Sequence, residues 1–109
     1  MIADLESLKY PIGKFQLPHS FQPEDFTHWI EEIRLLPERL EHLVADLSDD
    51  QLLLPYRPDG WNVQQVIHHL PDSHANGYIR LKLALTEDCP TIKPYKEERW
   101  ASLPDGNSA

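Results

Sequence analysis

Between Gln65 and Arg80 the chain places Gln65, His69, Asp72, Ser73, Asn76 and Arg80 within sixteen consecutive residues. A histidine is a metal ligand and a base near neutral pH, and a neighbouring carboxylate can orient it. At about 100° per residue, positions 65, 69, 72, 76 and 80 form one line up a helix, with Ser73 beside it. The line lacks the Lys and Glu that usually fill a solvated flank. Two readings fit this spacing: an ordinary polar flank, or the wall of a pocket between facing helices, where bundle proteins build metal sites.

The other histidines separate by direction. His74 falls about 20° from Val63, in the middle of the stripe Val63, Val66, Ile67, Leu70, Gly77, Leu81, Ala84 and Leu85, which predicts a buried, hydrogen-bonded core histidine. His68 points to the far side and is expected at the surface. His19, His28 and His42 have no ligand spacing. A catalytic zinc-type centre needs about three protein ligands and an open position. One helix supplies one, His69, so further donors must come from elsewhere. No HExxH, CxxC, GxSxG or glycine-rich phosphate loop occurs, which leaves serine-triad and nucleotide chemistry without support.

The elements that must position this line can be read from punctuation and periodicity. Prolines 11, 18 and 23 with Gly13 predict an extended arm over 1–22 that packs through Leu8, Tyr10, Ile12 and Phe15. A helix opens near Pro23 with Glu24 and Asp25 in its first turn. Phe26, Ile30, Ile33, Leu40, Val44 and Leu47 carry it to about residue 47, kinked but continuous at Pro37. The stretch 48–60 is a connection with one helical turn near 49–53. Asn62 followed by Gln65 is a capping-box pattern that starts a second long helix, running to about Thr86 and bent near Pro71. A short helix over 95–101 follows, within a helical half-domain spanning 23–103, and 104–109 is expected as a disordered tail.

Composition limits the partners. The 109 residues suffice for one small domain. A net charge of −8 disfavours nucleic acid and anionic membrane surfaces, both of which require clustered cations. Cys89 is the single cysteine and has no partner for a disulfide. With no apolar run of membrane-spanning length and no signal-peptide pattern, the expectation is a soluble cytoplasmic protein.

Three segments resemble a known family: YPIGKF at 10–15, PYRPDGWNVQQVIHHLPDSHANGYIRLKLALTED at 55–88, and PTIKPYKEERWASL at 90–103. They are similar to the YfiT/BstA-like metal-dependent hydrolases of the DinB superfamily. The resemblance implies an all-α fold, the N-terminal half of a four-helix bundle: two long antiparallel helices, an extended N-terminal arm and a short C-terminal helix. It implies zinc or nickel held by three histidines. One of them matches His69; the other two belong to an H-x-x-x-H pair that this sequence does not contain. It also implies a metal-activated water or low-molecular-weight thiol, such as bacillithiol, as nucleophile toward a small-molecule substrate. From direction on the helix, Asp72, Ser73, Asn76 and Arg80 are candidates for orienting the metal ligands or touching substrate. Two long helices make a thin core, so either a homodimer or a further C-terminal half is expected to complete the bundle. The competing reading is a non-catalytic, oligomeric helical hairpin that serves as an interaction module.

Overall fold

The computed structural model describes residues 4–107. The expected all-α class is found: among these residues the only β pairing is an isolated bridge between Pro55 and Asn62. The helices are α1 (Leu5–Lys9), α2 (Pro23–Val44), α3 (Asp49–Leu52), α4 (Val63–Thr86) and α5 (Glu97–Ala101), followed by a 3-10 turn, Pro104–Asn107. The chain divides into two compact units, one ending at Ser48 and the other beginning at Asp49.

In the first unit, Asp4 caps α1 by accepting from the Ser7 N–H at 3.1 Å and the Ser7 hydroxyl at 2.8 Å. This turn of helix was not anticipated in a proline-punctuated arm, but Leu5–Lys9 precedes the first proline and has a good cap. Beyond it, Ile12 and Phe15 are almost fully exposed, while Leu8 is half-buried. Pro23 occupies the first position of α2, and the Gln22 N–H donates to the Asp25 carboxylate at 2.8 Å. Pro37 stands inside the helix without ending it. Phe21, Phe26 and Trp29 form an aromatic cluster with centroids 5.5 to 6.0 Å apart.

The second unit is built around α4. The predicted capping box is present: Asn62 Oδ1 accepts from the Gln65 N–H at 2.8 Å, and Gln65 Oε1 accepts from the Asn62 N–H at 3.0 Å. The preceding connection is a tight turn. The Tyr56 N–H donates to the Trp61 carbonyl and the Val63 N–H to the Leu54 carbonyl. Asp59 takes a positive φ of 58° there, a conformation that aspartate tolerates better than most residues. After α4 ends, Cys89 with φ 47° turns the chain, and residues 91–106 return along the helix.

That return explains the largest departure from expectation. The segment packs on the polar line of α4, not on its apolar stripe. Residues 91–94 are non-helical, and Ala101 ends α5, so carbonyls such as those of Lys93 and Ala101 lack helical partners and need donors. Gln65 Nε2 donates to the Ala101 carbonyl at 3.1 Å, and Arg80 Nη2 to the Lys93 carbonyl at 3.2 Å. An apolar stripe could supply neither bond. Ala101 at 3% and Gln64 at 7% relative exposure are, with Gly106, buried in this unit.

Four expectations are corrected here. His74 is exposed rather than buried, as are Val66, Gly77, Leu81, Ala84 and Leu85 on the same stripe. His68 is half-buried rather than superficial, because the turn Pro104–Asn107 packs on the flank of α4 that carries Gln64. The short helix begins at Glu97 instead of 95. The expected disordered tail is ordered through Asn107: the Gly106 N–H donates to the Leu103 carbonyl, and Gly106 is buried. A Cβ on Gly106 would lie 2.8 Å from the Ala101 carbonyl oxygen, so the close approach requires glycine. Ser108 and Ala109, the end of that tail, and residues 1–3, the start of the arm, lie outside the described residues.

Candidate functional site

The capping box that starts α4 also fixes which way its side chains point. Gln65 is held at both ends of its amide, Oε1 to the Asn62 N–H and Nε2 to the Ala101 carbonyl. One turn later, His69 lies on the same flank. Its ring is 5.1 Å from Trp61, tilted at 60°, and 6.4 Å from Tyr95, stacked at 24°. Tyr95 in turn packs 4.9 Å from Trp100. Aromatic packing from the turn before α4 and from the return segment therefore holds the imidazole, which is half-buried. Neither Trp61 nor Tyr95 was singled out from the sequence. The clue available was the dense aromatic and basic run KPYKEERW, 93–100, but which helix it would meet is a long-range contact.

His69, Asp72, Ser73, Asn76 and Arg80 are all half-buried, on the flank the return segment covers. Asn76 spends one amide donor on the Asp72 carbonyl at 2.8 Å, a bond within the helix. Arg80 is bound to the Lys93 carbonyl, and both Asn76 and Arg80 line a cavity against residues 91–100. Gln65 and Arg80 thus have a structural role in satisfying backbone carbonyls. Asp72, Ser73 and His69 lie on the same flank outside that cavity and form no ligand set. Among the described residues no group of three or more His, Cys, Asp or Glu side chains is placed to hold a metal ion. The residues present do not by themselves fit a bound metal: they offer one well-held imidazole, with aromatic rings and not further donors around it.

No described helix is long and apolar enough to cross a membrane. Cys89 is exposed and free.

Comparison with known proteins places this arrangement. A protein of Bacillus mycoides strain KBAB4 named "Putative metal-dependent hydrolase" is 54% identical over 101 residues, covering 93% of this chain and 58% of its own length. A Bacillus cereus strain B4264 protein of the same description matches to the same extent. The chain therefore spans somewhat under three fifths of the curated relatives it matches. Among solved structures, Bacillus subtilis YfiT, described as a probable metal-dependent hydrolase with an unusual four-helix bundle topology, matches with a TM-score of 0.89 and 46% identity. The match covers 94% of this chain and 59% of that one. The pattern of the DinB superfamily extends over residues 32–107. By that match, which takes in all of α4 and the segment packed on it, the chain belongs to the DinB superfamily.

Proposed function

We propose that the chain carries part of the active site of a metal-dependent hydrolase, with His69 as one metal ligand. The remaining donors come either from further polypeptide or from a second copy of the chain. The observation that supports this reading is the way His69 is held. A half-buried imidazole packed near the rings of Trp61 and Tyr95 loses little conformational freedom on binding a metal, and preorganisation of that kind favours ligation. The names of the relatives, metal-dependent hydrolases of greater length, point the same way.

What the described side chains do is hold and orient. Trp61 and Tyr95 fix the plane of the imidazole. Asp72 and Ser73 follow one turn further along the same half-buried flank. No reaction step follows from one ligand, and the nucleophile sets the reaction class. Water would give hydrolysis, and a low-molecular-weight thiol would give S-transfer. The non-catalytic reading, an oligomeric hairpin, is favoured by a different observation: the apolar residues Val66, Leu81 and Leu85 of α4 are exposed, with Leu85 at 76%.

Calorimetric titration with zinc and with nickel, paired with light-scattering mass measurement, separates these readings. Expected is binding at least tenfold tighter to the wild type than to His69→Ala, because losing one of three or four ligands forfeits most of a metal site. One ion per two chains, on a dimer, would assign the missing donors to the second copy. Equal affinity of wild type and H69A in an assembled oligomer would overturn the metal reading in favour of the interaction module.

A further inference from the structure

The chain carries ten Lys and Arg against eighteen Asp and Glu, yet four of the ten line a single cavity in the second unit. The cavity, of about 450 Å³, lies between α4 and the return segment. Arg80, Lys93, Lys96 and Arg99 supply its charge, and no carboxylate lines it. The ion pairs formed among the described residues use other cations: Lys9, Lys14, Arg34 and Arg39. Glu97 and Glu98, the nearest acids in sequence, line an adjoining cleft that shares Pro94, Tyr95, Lys96 and Arg99 with this cavity. Four cations around a cavity with no carboxylate in its lining repel one another, and an anion among them offsets that cost.

A second observation comes from Arg80 itself. Its Nη2 is bound to the Lys93 carbonyl, but its Nε is buried with no hydrogen-bond partner. That atom is closed off from the cavity, so what Arg80 offers an anion there is its charge and its remaining guanidinium N–H groups. The remaining walls are of a different character. Ile79 and Leu83 on α4 and the rings of Tyr95 and Trp100 provide apolar and aromatic surface. Thr91 and Asn76 add two neutral polar groups. The volume falls within the range of small-molecule sites, which combine an apolar lining with a few convergent polar groups.

We propose that this cavity binds a small organic anion, its carboxylate or phosphonate-like head among Arg80, Lys93, Lys96 and Arg99 and its apolar body against Tyr95 and Trp100. Arginine suits the head because its planar fork pairs with two oxygens at once. The site goes beyond the metal reading and does not depend on it, since none of the cavity residues is His69. The two are nevertheless neighbours, because Tyr95 contacts the His69 ring and also lines the cavity.

The test is an NMR titration of the whole chain in chelating buffer, so that its result is independent of metal. Phenylphosphonate is the probe and benzyl alcohol its uncharged counterpart. Expected are saturable shifts of the Trp100 indole N–H with phenylphosphonate, weakened about tenfold by Arg80→Gln and by Arg99→Gln, as for loss of one charge-assisted contact. Higher salt should weaken binding in parallel. Arg80 also anchors the return segment, so Arg80→Gln is read only if its far-UV circular dichroism matches wild type. The exposed pair Lys96→Gln and Arg99→Gln, combined in one variant, decides the matter otherwise. Benzyl alcohol shifting Trp100 at the same concentrations, or phenylphosphonate binding this double variant as tightly as wild type, would overturn the proposal.

Discussion

α2 and α4 are near equals in length, 22 and 24 residues, each interrupted by one proline and each amphipathic, yet they are stabilised in different ways. The interactions that run along α2 are local. Arg34 pairs with Glu31 three residues away, Arg39 with Glu32 seven away, and Phe21, Phe26 and Trp29 cluster at its N-terminal end. α4 is tied over long separations instead, Gln65 to Ala101, His69 to Tyr95 and Arg80 to Lys93. The difference teaches that periodicity alone does not decide which face of a helix is covered. A segment that returns with unpaired carbonyls selects the face carrying donors, even where an apolar face stands beside it.

The contrast can be broken most forcefully at Trp61. Its ring braces His69 from the turn before α4, so Trp61→Ala removes packing that no local bond replaces. A loss of about 2 kcal/mol is expected for this half-buried indole, below the range for fully buried tryptophans. Urea unfolding followed by circular dichroism measures it, and an unchanged midpoint would show that the aromatic clamp contributes nothing. Gly106→Ala should cost somewhat less, about 1 to 2 kcal/mol, because the new methyl meets the backbone carbonyl of Ala101 and the turn must shift. Thermal melting of the variant, with Gln65 side-chain amide resonances as a local reporter, distinguishes a displaced turn from a tolerated one.

The smallest effect is expected on α2. The guanidinium of Arg34, hydrogen-bonded to Glu31, holds that carboxyl below the ordinary glutamate range, and the pair is exposed. A lowered carboxyl pKa means that the pair's contribution is complete above the unfolded glutamate value and is lost as pH falls through the lower, folded one. Arg34→Ala should therefore leave the melting temperature almost unchanged at neutral pH, and wild type and variant should converge further on acidification. A neutral-pH loss as large as that of Gly106→Ala would contradict the view that this pair is a local, solvent-screened bond.

How far the sequence could be read differs between local and distant features. The Asn62–Gln65 capping box and the proline-tolerant long helices were legible, since each depends on groups within a few residues of one another. Trp61 and Tyr95 around His69 were not, because their meeting joins residues eight and twenty-six positions from it through a turn and a chain reversal. His74 shows the opposite failure. Its direction on the wheel was read correctly, but the inference from apolar stripe to buried core presumes a covering layer, and the described residues cover the other flank.

The amino-acid order by itself therefore determined the helical class, the start and extent of α4 and the alignment of His69, Asp72, Asn76 and Arg80 along one flank, because these follow from capping chemistry and the 3.6-residue period. Tertiary structure alone decided that this flank would be covered. The carbonyls of a non-helical return segment need hydrogen-bond donors, and on α4 Gln65 and Arg80 reach them. The same packing set the aromatic clamp on His69 and gathered four cations around one cavity, an outcome that no spacing within a single helix could have specified.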